Sequence, residues 1–138
     1  MTIEQQNIDV IKSAYAAFGR GDIPAILALV ADDNFETWGV VANAKARAPW
    51  HFQGRTKQDV PRYFAAVLGT LEPLKFEPSA FAAAGDYVYA TVDMEYKVRA
   101  TGKPLLMREA VMRFKLHGGR IVDARVLEDT ASSLESLG

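Results

Sequence analysis

Cysteine is absent from the 138 residues. No disulfide, thiolate metal site or cysteine nucleophile can be built, and a reducing compartment suits the chain. Histidine occurs twice, as His51 and His117. Two imidazoles are the most a metal site could draw on, and no metal is expected. An excess of charge of one sign is also missing: 16 basic residues face 17 acidic ones. No basic field exists to attract nucleic acid or an anionic membrane, and neither is expected as a partner. No apolar run reaches the roughly 18 residues of a membrane span. The segment Met1 to Val10 carries Glu4 and Asp9 where a signal peptide would be apolar. A cytoplasmic location is the expectation. There is no glycine-rich dinucleotide fingerprint and no P-loop, so no cofactor is expected.

What is present describes a folded domain. Hydrophobic residues make up 49% and charged residues 24%, a globular balance. The length fits a single domain, 1–138. Helical periodicity dominates the first half and strand periodicity the second, which predicts an α+β domain with a largely antiparallel sheet.

Thr2 and Gln5 have the spacing of a capping box. Ile8, Ile11, Tyr15 and Phe18 then recur at helical steps, until Gly19 and Gly21 end the helix. Asp22 is the expected N-cap of a second helix with Pro24 in its first turn, running through Val30 to Asp32. Phe35 to Val40 reads as a strand, Ala42 to Pro49 as a loop or lid, and Gly54 as a turn. Thr56 or Asp59 is expected to cap a third helix whose face is Val60, Phe64, Val67, Leu68 and Leu71.

Four strands follow: Leu74 to Ala83, Tyr87 to Arg99, Leu105 to Leu116 and Arg120 to Glu128. The short turns between them favour antiparallel hairpins. Alternation places Val88, Ala90, Val92, Met94, Tyr96 and Val98 towards the helices, with Ala110, Met112, Phe114 and Leu116 in the next strand. The opposite face carries Tyr87, Tyr89, Val111, Arg113 and Leu127. It is too apolar for an ordinary wet surface and predicts a homodimer through the sheet.

The segments YAAFGRGDIPAILALVADD, FQGR, FAAAGDYVYATV, VRATGKP and GGRIVDARVLEDT, in this order and spacing, resemble the SnoaL-like branch of the nuclear transport factor 2-like superfamily. Ketosteroid isomerase-like proteins and polyketide cyclases belong to it. The resemblance spans roughly Ile8 to Leu137. It implies a cone-shaped, curved antiparallel sheet wrapped around three N-terminal helices, with a pocket inside.

In the isomerase members, a carboxylate moves a proton beside a carbonyl while a tyrosine and a protonated acid stabilise the enolate. Carried onto this chain, the tyrosine position falls nearest Ala14, with Tyr15 about 100° further round the helix. The base falls at Thr37 or Trp38 and the third group at Met112. The resemblance thus brings the fold without the family's proton-transfer set, and function must be argued from the site.

Three other residues are candidate catalytic groups. Glu128 shares the inward phase of the last strand, although a solvent-facing strand end is the simpler reading. Arg108 lies four residues before Met112 in the same phase, from where it could pair with Glu128 or a ligand carboxylate. His51 lies outside the hairpin turns, and imidazole chemistry suits acid–base work; a lone loop histidine is more often a packing residue. Tyr15, Trp38, Trp50, Tyr63, Met94 and Met112 are the expected ligand-binding wall of an apolar pocket.

Three functions compete on this reading: a cone that binds a small hydrophobic molecule; an isomerase, cyclase or hydrolase using non-standard acid–base residues on a small hydrophobic carbonyl or polyketide-like substrate; and a protein-interaction module. Apolar residues at the three proton-transfer positions favour binding unless Glu128, Arg108 or His51 converge.

Overall fold

The helices start where the sequence offers caps. In the computed structural model, which describes residues 1–40 and 48–138, α1 spans Ile3–Gly19. The Thr2 hydroxyl accepts from Gln5 N at 3.2 Å, and Gln5 Oε1 accepts from Thr2 N at 3.0 Å. Ile11, Ala14, Tyr15 and Ala17 form its buried face. In α2, Ile23–Leu27, Asp22 accepts from Ala25 N. This helix stops short of the full apolar run because Val30 leaves it to form a parallel bridge with Ile121.

Helix α3, Asp59–Thr70, departs from the expected cap. Its N-cap position is Gln58, without a side-chain bond. The Asp59 carboxylate instead accepts from the backbone N–H groups of Arg55 and Thr56, at 2.9 and 3.2 Å, closing the turn ahead of the helix. These bonds to its charged form hold the Asp59 carboxyl below the usual carboxylate range.

Six strands form one open, curved sheet in the order β2-β1-β6-β5-β4-β3. They are β1 Thr37–Val40, β2 Gln53–Gly54, β3 Leu71–Ala84, β4 Tyr87–Val98, β5 Pro104–His117 and β6 Arg120–Leu127. The three hairpins from β3 to β6 are antiparallel, as their turns require. The sheet is nevertheless mixed, since β1 runs parallel to β6. Short turns fix direction only for consecutive strands. The direction of β1 follows from the chain after α2, which already lies along Ile121. Gly54 is not a turn residue; it pairs with Trp38, and Asp59 packs where its side chain would lie. A short helix not expected from the sequence, α4 Thr130–Ser136, follows β6 and is capped by Asp129.

Strand alternation holds across most of the sheet. Val88, Ala90, Val92, Met94, Tyr96 and Val98 are all buried, as are Ala110, Met112, Phe114 and Leu116. The phase breaks within β5. Val92 pairs with Ala110, but Met94 pairs with Met107, leaving Arg108 and Glu109 in a bulge opposite Asp93. Glu109 has φ 53°, and its N–H donates to Asp93 Oδ1 at 2.8 Å. The bulge resets the alternation, so Leu105 and Met107 face inward and Arg108 is exposed. The inward phase expected for Arg108 is thereby overturned.

Candidate functional site

The concave face of the sheet and the helices enclose a cavity of about 80 Å³. Helix α1 contributes Tyr15, α3 contributes Tyr63, β1 contributes Trp38, and β4 and β5 contribute Met94 and Met112. Trp50 enters from the segment before β2. All six residues of the expected wall therefore meet around one space. Tyr96 and Met107 line it as well. Tyr96 shares the phase of Met94 in the sequence, and that is the signal for including it; Met107 is hidden by the bulge. Of the expected lid, Ala42 to Pro49, residues 42–47 lie outside the described residues.

One carboxylate stands in this wall. Glu128 follows β6 and lines the cavity, with only 4% of its side chain exposed. It is no surface residue: Trp50 Nε1 donates to its Oε1 at 2.9 Å. His51 Nε2 lies 3.1 Å from the same oxygen, and its side chain is 3% exposed. With its proton on Nε2, the ring donates there too. Both donors converge on Oε1, and among the described residues Oε2 takes no hydrogen bond. The structure thus brings Glu128 and His51 together and leaves Arg108 outside. His51 does not line the cavity; it meets Glu128 at Oε1.

The hydroxyls in the cavity remain protonated. Burial pushes the Tyr15 phenol far above its ordinary range. Burial first, then the Glu128 charge and Tyr96, does the same to Tyr63. Burial and then Glu128 raise Tyr96. Two of these neutral phenols donate to thioethers: Tyr15 to Met112 Sδ at 3.1 Å, and Tyr96 to Met94 Sδ at 3.3 Å. Sulfur is a weak acceptor.

The positions that the resemblance assigned to proton transfer hold no carboxylate. Ala14 and Trp38 line the cavity as apolar wall. The Thr37 hydroxyl is buried and has no partner among the described residues. The carboxylate that lines the cavity is Glu128, far along the sequence from β1.

A family model for the SnoaL-like domain matches residues 11–124. The chain belongs to the SnoaL-like domain family. Its fold is similar to that of a nuclear transport factor 2-like protein from Burkholderia thailandensis, with a TM-score of 0.82 and 23% identity over 96% of this chain and 97% of that one. TerC, crystallised with polyporic acid, is similar with a TM-score of 0.82 and 20% identity, over 96% of this chain and 98% of its own. A protein from Xanthomonas campestris named as a polyketide cyclase has a TM-score of 0.75 and 15% identity, over 99% of this chain and 100% of that one. At these identities the likeness is one of fold. No curated protein matches the chain. Among the described residues no helix is long and apolar enough to cross a membrane.

Proposed function

We propose that the protein is an enzyme that moves a proton on a small, largely apolar carbonyl compound, with Glu128 as the proton-transferring group. The observation that carries this reading is the Glu128 carboxylate in the wall of an apolar cavity, its Oε1 held by Trp50 and His51 and its Oε2 free of partners among the described residues. The bonds from Trp50 and His51 offset the cost of burying the carboxylate and leave Oε2 available to a reactant.

In the proposed step Glu128 Oε2 takes a proton from the carbon beside the carbonyl. The C–H electron pair becomes the enolate double bond, and the carbonyl oxygen gains negative charge. A neutral phenol, Tyr63 or Tyr96, then donates to that oxygen; both feel the Glu128 charge. The carboxylic acid returns the proton to the same carbon or another one, so no co-reactant is consumed. Isomerisation and ring closure both begin with this step, which is in keeping with the polyketide cyclase name of one structural neighbour. Trp50 and His51 act as positioning residues: they orient the carboxylate and keep water from its Oε1.

Hydrogen–deuterium exchange tests the step without knowledge of the natural substrate. The probe is 2-tetralone in deuterium oxide, followed by proton NMR. Catalysed loss of the signals beside the carbonyl, abolished by Glu128→Gln, is the expected result. Tight binding of the probe with no exchange above the buffer rate would leave a binding cone instead. Polyporic acid, with which TerC was crystallised, is a second compound for the same binding assay.

A further inference from the structure

The polar groups of the cavity fall at two separate levels of the sheet. Met112 pairs with Val126 on one side and with Ala90 on the other. Tyr15 Oη, bonded to Met112 Sδ, marks this level. Glu128 lies two residues beyond Val126, which is about 7 Å further along the strand. Antiparallel pairing runs β4 the same way, so Met94 and Tyr96 lie towards the Glu128 end. Tyr15 is packed among Phe76, Phe81 and Phe114, with ring centroids at 5.5 to 5.9 Å. Its hydroxyl is therefore a lone polar group in an aromatic surround, away from the carboxylate. The electrostatics agree: the Glu128 charge acts on Tyr63 and Tyr96, whereas burial alone shifts Tyr15.

We infer that the substrate carries a second oxygen, across an apolar ring from the reacting carbonyl, and that Tyr15 recognises it by turning its hydroxyl from Met112 Sδ to that oxygen. The inference rests on the reading of Glu128 as the proton-transferring group, which places the carbonyl at the other end. A weak sulfur acceptor holds the phenol in place while the cavity is empty and releases it at little cost. A ligand without the second oxygen leaves the Tyr15–Met112 contact intact. Methionine side chains at Met94, Met107 and Met112 let the wall adjust around a ring, since the thioether chain is unbranched and flexible.

Two probes separate this inference from the proton-transfer reading: 2-tetralone, with the carbonyl alone, and 6-methoxy-2-tetralone, which adds an acceptor oxygen across the ring. The methoxy compound is expected to have the lower KM in the exchange assay. Tyr15→Phe should raise its KM about tenfold, the equivalent of roughly 1.4 kcal/mol, with kcat held. For the unsubstituted tetralone, KM should stay within about twofold. Met112→Leu nearly conserves volume and removes the sulfur, so it should lower the KM of the methoxy compound relative to that of the unsubstituted one. Equal losses for both probes on Tyr15→Phe, or a fall in kcat alone, would overturn the inference by placing Tyr15 at the reacting carbonyl. No change for either probe would overturn it as well. If exchange survives Glu128→Gln while the Tyr15 effect on binding of the methoxy compound persists, the proton-transfer reading fails and the second-oxygen contact stands.

Discussion

Trp50 Nε1 and Glu128 Oε1 are joined by a 2.9 Å hydrogen bond across 78 positions of the sequence. This bond ties the segment before β2 to the junction of β6 and α4, and it fixes the carboxylate in the cavity wall. Trp50→Phe keeps an aromatic ring and removes the N–H. It should lower the unfolding free energy by about 2 kcal/mol, the scale of a hydrogen bond to a charged group. It should also slow the tetralone exchange, because the carboxylate loses orientation. Denaturant unfolding and the exchange assay check the two parts.

Arg108 gives the opposite expectation. It is exposed on the bulge and does not line the cavity. Arg108→Leu should change stability by no more than about 0.5 kcal/mol and leave both probe affinities unaltered. A loss of affinity would mean that β5 keeps its alternation through Glu109 in solution.

Alkaline titration reports the buried phenols. Tyr15, Tyr63 and Tyr96 have hydroxyls raised above the ordinary phenol range in the fold. Above about pH 10 the unfolded chain loses protons that the folded one retains. The stabilisation is therefore complete below that pH and declines as the pH rises beyond it. Ultraviolet absorbance of tyrosinate should show a late step that coincides with loss of structure by circular dichroism. Smooth ionisation of all the tyrosines in a folded protein would contradict the burial.

The outer face of the sheet leaves Tyr89 and Leu127 exposed at 40% and 47%. Arg113, on the same face, has a buried Nε without a partner among the described residues and stacks over the Tyr87 ring. A homodimer through this face is the expected assembly. Sedimentation at tens of micromolar should give the dimer mass, well above the roughly micromolar dissociation constant of a stable interface. Leu127→Asp should give the monomer, with the cavity's affinity for the tetralone probe unchanged. A wild-type monomer at that concentration would rule the interface out.

The sequence by itself determined most of the elements of this protein, though not β2 or α4, and much of the cavity's wall. The Thr2–Gln5 box, the Asp22 cap, the turn chemistry at Gly85, Gly102 and Gly118, and the alternation in β4 are local rules. Each depends on residues a few positions apart, so each can be read along the chain. That is why phase turns Tyr15, Met94 and Met112 inward, while the pocket itself, with Trp38 and Tyr63 in its wall, is read with the help of the family resemblance. Tertiary structure decided what the phase could not. A bulge at Glu109, set by a left-handed backbone and a bond to Asp93 on the neighbouring strand, turned Arg108 outward. Pairing of β1 with β6 was parallel because the chain after α2 already ran along Ile121. Glu128 read as a strand-end surface residue, and His51 as a loop residue. They became a buried pair only when the fold brought 77 positions of separation down to 3.1 Å. Local propensity carries no information about such a contact: its energy depends on the geometry of two distant segments and on the low dielectric around them, and neither exists until the chain has folded.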